Sequence, residues 1–99
     1  MSRTVVALVD DLMDRSRVSA ALPEVTFART ADACKIADVV IVDLARDSVR
    51  AVRACAPSAR IVAFGSHVDT GALDHAEQEG ADVVLPRSRF FHDPAAAIA

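Results

Sequence analysis

The sequence has no tryptophan and no tyrosine, and four phenylalanines make up its entire aromatic content. A core without large rings must be assembled from small aliphatic side chains, and the 53% hydrophobic content is mostly Ala and Val. Such side chains suit helices packed closely on a sheet. Basic charge is also scarce: 11 Lys and Arg against 14 Asp and Glu leave a formal net charge of −3, with the arginines scattered singly between acids. No field of that kind holds a phosphate backbone, so nucleic acid is not expected as a direct partner. The 3 glycines never form a phosphate-cradling loop, which argues against dinucleotides and nucleoside triphosphates. The 2 cysteines, Cys34 and Cys55, lack the spacing of a metal knuckle or redox pair and read as small core residues on helices. Apolar runs are short as well. Only Val5 to Val9 precede Asp10, too few for a signal peptide or a membrane span, so the expected compartment is the cytoplasm.

What is present is an alternation of strand and helix signals over 99 residues, room for one domain, 1–99, and not for two. Thr4 to Val9 is a continuous apolar run ending on two acids, the pattern of a strand buried on both faces. Leu12 to Leu22 places Asp14, Val18 and Leu22 at four-residue intervals before Pro23, a short helix. Val25 to Ala28 suits a brief strand, and Thr30 can cap a small helix through Cys34 and Ile36. Asp38 to Asp43 is the strongest strand signal, with consecutive β-branched residues closing on an acid. Asp47 or Ser48 can start a helix over Val49, Val52 and Ala56. Arg60 to Phe64 makes a fourth strand ending at Gly65. Asp69 or Thr70 starts a helix that Gly80 stops, and Ala81 to Leu85 makes a fifth strand ended by Pro86. Asp93-Pro94 opens a last helix reduced to about one turn. The pattern predicts an α/β fold: a five-stranded parallel sheet with helices on both faces and the final helix truncated, for which a flavodoxin-like order is 2-1-3-4-5. A sheet edge thinly covered in this way would expose Phe90, Phe91 and Ile98 and favour a partner.

In such sheets ligands bind beyond the carboxyl ends of the strands where the strand order reverses, here between strands one and three. Those strands end in Asp10-Asp11 and Asp43. Carboxylates about 4 Å apart repel by about 4 kcal/mol at an effective dielectric of 20, so three together call for a cation. Magnesium suits an all-oxygen site that also bridges to a phosphoryl group. Taken singly, each Asp reads as a turn former or helix cap; it is the trio that points to a site. His67, His75 and His92 have no zinc spacing, and no serine has the His and acid neighbours of an activated nucleophile.

The order of motifs resembles the receiver domain of bacterial response regulators (CheY-like) over essentially the whole chain. Leu8-Val9-Asp10-Asp11 resembles the acidic pair after strand one, and Val40-Ile41-Val42-Asp43-Leu44 resembles the strand that ends in the phosphoacceptor. The run from Gly80 to Ser88 resembles the Gly-Ala-Asp segment that leads into strand five and a basic residue. The resemblance implies Asp43 as phosphoacceptor and a Mg2+ ion held by Asp10, Asp11, Asp43 and the Ala45 carbonyl. It also implies Arg87 as the cationic contact to the phosphoryl group, with a sensor histidine kinase or phosphotransfer protein as donor and an effector protein as target. No enzyme activity of its own is implied.

Departures from the family pattern are equally specific. Gly65 stands where a Ser or Thr normally donates a hydroxyl to the phosphoryl group, and Ser66 could replace it only if the loop turned. Arg87 stands where the family usually has Lys, and a guanidinium is not an ammonium. Val84 takes the place of an aromatic that swings inward on activation. Gly65, Val84 and the shortened tail motivate an alternative: a degenerate pseudo-receiver used as a phosphorylation-independent interaction or homodimerisation module. A small metal-dependent hydrolase is a third reading, weakened by loops too short to enclose a substrate.

Overall fold

The structure is a computed structural model that describes residues 3–99. Five strands form one parallel sheet in the order β2-β1-β3-β4-β5. They are β1 (Val5–Leu8), β2 (Thr26–Phe27), β3 (Val39–Asp43), β4 (Arg60–Gly65) and β5 (Val83–Pro86). Every residue of β1 and β3 is buried, as expected for central strands covered on both faces. The helices are α1 (Leu12–Ala21), α2 (Val49–Cys55), α3 (Thr70–Gln78), α4 (Arg87–His92) and α5 (Pro94–Ala97), and a 3-10 segment spans Ala31–Ile36.

Alternation along the strands sends side chains to two cores. One face holds Leu8, Val40, Val42, Ile61 and Ala63 against Val49 and Val52 of α2, Ala76 of α3 and Cys34 of the 3-10 segment. The other holds Val5, Ala7, Val9, Ile41, Val62 and Phe64 against Val18 of α1, Phe90 of α4 and Ile98, which follows α5. Burial pushes the Cys34 thiol up to about 11, with Cys55 adding to the effect. That thiol stays protonated, consistent with a packing role.

Local signals act largely where the sequence places them. Ser48 accepts the Ala51 amide at 3.2 Å, Asp69 accepts that of Ala72 at 3.1 Å, and Asp93 accepts that of Ala96 at 3.2 Å. Gly80 adopts φ +105°, a left-handed turn that any Cβ would strain. Asp82 accepts the Ile61 amide at 2.8 Å and faces Arg53 at 3.0 Å, while Arg53 also donates to the carbonyls of Ala59 and Gly80. The Ile61 amide, helped by Arg53, holds the Asp82 carboxyl below the usual range. The Gly-Ala-Asp segment is therefore a staple where β4 and β5 begin, at the opposite end of the sheet from the acidic cluster.

Three expectations need correction. Thr30 precedes a 3-10 segment and makes no side-chain cap, and β2 is only two residues long. The larger correction concerns the carboxyl-terminal edge. Arg87–His92 forms a helix ahead of the Asp93-Pro94 start signal, so Phe90 and Ile98 are fully buried and Phe91 is half-buried. Phe64 stacks on Phe90 at 4.8 Å and meets Phe91 edge-on at 5.1 Å. The edge is covered by the chain itself, which removes the reason for expecting a homodimer there. Pro86 obscured α4 in the sequence: it ends β5 and, with φ −61° and ψ 149°, also occupies the cap position of the helix.

Candidate functional site

Parallel register brings the carboxyl ends of the strands to one rim of the sheet. Leu8 lies beside Val42, Asp43 beside Phe64, and Gly65 beside Pro86. Asp10 and Asp11 leave β1 at that rim, Asp43 closes β3, and Arg87 emerges directly after β5. The Asp43 carboxylate is buried, and its Oδ1 accepts the Ala45 amide at 3.0 Å. Its Oδ2 has no hydrogen-bond donor among the described residues. Burial raises the Asp43 carboxyl above the usual range; the Ala45 amide and Arg87 oppose that rise, and Asp14 and Asp10 add to it. Negative charge at this position is thus costly, which is the condition a cation relieves.

The two acids after β1 are already engaged. Asp11 caps α1, its Oδ1 accepting the Asp14 amide at 3.0 Å. Asp10 faces two arginines: Arg46 Nε lies 2.7 Å from Oδ2 and Arg15 Nη2 lies 3.7 Å from Oδ1. Arg46 is further anchored by Asp47 and by the Arg29 carbonyl.

Asp14 belongs to the site and was not among the residues expected there. It is buried on the inward face of α1, and both of its oxygens accept from Arg87 Nη2 at 2.8 Å. A signal was present, since Asp14 lies on the Val18 and Leu22 stripe, and an acid on a core-facing stripe demands a cation. Arg87 also lies over the rings of Phe64 and Phe91, at 5.4 and 5.2 Å from their centroids. Arg46, which follows Ala45, was likewise missed; nothing in its spacing distinguishes it from the other scattered arginines.

Gly65 and Ser66 supply no hydroxyl toward Asp43. A Cβ at Gly65 would lie 3.3 Å from Leu44 Cδ1 and 3.4 Å from Leu73 Cδ2, the ends of two half-buried leucines. Ser66 Oγ accepts the Val68 amide at 3.4 Å within its own turn. Val84 is half-buried against the core beneath α2 and α3.

The donor set suits a hard divalent cation, being entirely oxygen: the Asp10, Asp11 and Asp43 carboxylates and the Ala45 carbonyl. It is not preassembled. Among the described residues, no three His, Cys, Asp or Glu side chains are grouped to hold a metal ion. Asp10 faces Arg46, and Asp11 holds the start of α1 through Oδ1.

No protein-family model and no curated protein matches the chain. Solved structures do. A response regulator from Burkholderia pseudomallei, crystallised with a phosphorylated aspartic acid, calcium ion and citrate, matches with TM-score 0.77 and 18% identity over 99% of this chain and 67% of that one. A response regulator receiver domain protein from Clostridium thermocellum matches with TM-score 0.79 and 20% identity over 98% and 91% of the two chains. The phosphorylated cyanobacterial phytochrome response regulator RcpA matches with TM-score 0.77 and 11% identity over 93% and 88%. The chain has the fold of response-regulator receiver domains, with the strand order expected from its sequence and a short last helix. Among the described residues no helix is long and apolar enough to cross a membrane.

Proposed function

We propose that the chain, 1–99, is a single receiver-like signalling module that accepts a phosphoryl group on Asp43 with Mg2+, and is not an enzyme in its own right. The observation that carries this reading is the Asp43 carboxylate at the switch point of the sheet, with Oδ1 fixed by the Ala45 amide and Oδ2 left without a donor. A nucleophile needs one oxygen oriented and the other free.

In the reaction, Asp43 Oδ2 attacks the phosphorus of a phosphohistidine on a sensor kinase or phosphotransfer protein. The new P–O bond forms as the P–N bond breaks, and the imidazole nitrogen keeps that electron pair and takes a proton from water. Asp10, Asp11, Asp43 and the Ala45 carbonyl would hold the metal, whose charge offsets that of the transferring oxygens. Arg87 adds a second positive charge beside Asp43. Holding the metal would require Asp10 to give up its contact with Arg46. A cytoplasmic setting and an effector protein as target accompany this reading, with no direct contact to nucleic acid.

The test is incubation with acetyl phosphate and Mg2+, followed by intact mass. Wild type is expected to gain one phosphoryl group and Asp43→Asn none. A wild type that stays unlabelled while a control receiver is labelled overturns the proposal and leaves the phosphorylation-independent interaction module.

A further inference from the structure

We propose that Asp14 is a positioning residue: it holds the guanidinium of Arg87 by one nitrogen so that the remaining donors serve a phosphoryl group on Asp43. This rests on the reading of Asp43 as phosphoacceptor. Three anchors define the guanidinium. Its Nη2 donates to both oxygens of Asp14 at 2.8 Å, and the rings of Phe64 and Phe91 lie 5.4 and 5.2 Å from its Cζ. Asp14 is the fixed end of the pair, with its side chain 5% exposed against 41% for Arg87.

Arg87 Nη1 and Nε have no hydrogen-bond partner among the described residues, and neither is an orphaned buried atom. Arg87 follows Pro86, which lies beside Gly65 at the same rim where Asp43 lies beside Phe64. A planar fork with five N–H donors can serve Asp14 and a phosphoryl group together, whereas an ammonium would have to divide three donors between them from a single point. This accounts for Arg at a position where the resemblance leads one to expect Lys. The arginine follows from the acid on α1. Bridging also avoids stranding Asp14 as a buried, unpaired carboxylate, which a guanidinium moving wholly to Asp43 would do. With no hydroxyl at Gly65 and Ser66 turned into its own loop, the aligned guanidinium becomes the principal side-chain donor available to the phosphoryl oxygens.

The test is a double-mutant cycle on beryllofluoride binding in Mg2+, with the Ala45 amide followed by NMR, in wild type, Asp14→Asn, Arg87→Gln and the double variant. Asp14→Asn is expected to weaken binding about tenfold when Arg87 is present, the scale of one charge-assisted hydrogen bond, and less than about twofold when it is not. Equal losses in both backgrounds would show a merely structural role and overturn the inference, as would unchanged or tighter binding in Asp14→Asn. A second measurement needs no variant. On saturation, the wild-type Arg87 Nε–H resonance is expected to shift while the Asp14 carboxyl carbon keeps its position. An unmoved Arg87 signal, or an Asp14 carbon that shifts as its partner departs, overturns the inference while leaving Asp43 as the phosphoacceptor. No response at the Ala45 amide overturns both.

Discussion

Replacing Arg87 with Ala separates a buried carboxylate from its cation, and the structure sets the scale of the loss. Asp14 is nearly inaccessible and accepts from no side chain other than Arg87 among the described residues. Removing one partner of a buried pair costs about 3–5 kcal/mol, because the remaining charge is left desolvated. The guanidinium is 41% exposed, so water reaches one side of the pair and the lower end applies, about 3 kcal/mol. The stacking of Arg87 over Phe64 and Phe91 adds about 0.5–1 kcal/mol at such an exposed site. A domain of this size has about 5–15 kcal/mol to lose. With a urea slope of about 1–3 kcal/mol/M, the midpoint should fall by more than about 1 M. The companion double variant Asp14→Leu/Arg87→Met removes both charges and should recover most of that loss, since a well-packed apolar pair replaces a buried ion pair at little cost. Urea unfolding followed by circular dichroism measures both. An Arg87→Ala protein within about 0.5 kcal/mol of wild type would refute the burial argument for Asp14.

Further expectations concern neighbouring positions. The raised carboxyl of Asp43, caused first by burial, means that the folded protein holds this proton more tightly than the unfolded chain. Its contribution therefore favours folding at low pH and is lost as pH rises from the ordinary carboxylate range through the raised value. Asp43→Asn should be more stable than wild type at neutral pH and indistinguishable below that window, as urea unfolding at the two pH values will show. Gly65→Ser supplies the absent hydroxyl and sets a Cβ 3.3 Å from Leu44 Cδ1, a side-chain end that need give only a few tenths of an ångström; thermal unfolding should register a loss below about 1 kcal/mol. Phe90→Ala opens a cavity beside Phe64 and should cost about 3–5 kcal/mol in urea unfolding; a loss under 1 kcal/mol would mean the edge is not packed as described.

The sheet was readable because each strand signal is local: β-branched runs, acids or glycine at their ends, and helix caps that act through neighbouring backbone amides. The short crossovers made the sheet parallel, and the order 2-1-3-4-5 came with the flavodoxin-like pattern. Helix α4 was hidden because its start lies directly against β5, with Pro86 serving as the last strand residue and the helix cap at once. The acidic positions were readable as residues but their pairings were not. Asp11 caps α1 through the amide three residues on, a local interaction the sequence allows one to anticipate. Asp14 with Arg87 spans 73 residues of chain, and Asp10 with Arg46 joins the ends of two strands. Nothing local distinguishes those arginines. They decide whether the acidic rim is an open metal site or one held closed by internal cations.

The decisive measurement is the position of the phosphoryl group. Treatment with acetyl phosphate and Mg2+, reduction of the resulting acyl phosphate with borohydride and peptide mass spectrometry converts a phosphorylated aspartate to homoserine at a readable position. Conversion is expected at Asp43 alone. Absence of conversion under conditions that modify a control receiver, or conversion at Asp10, Asp11 or Asp14 instead, would contradict it.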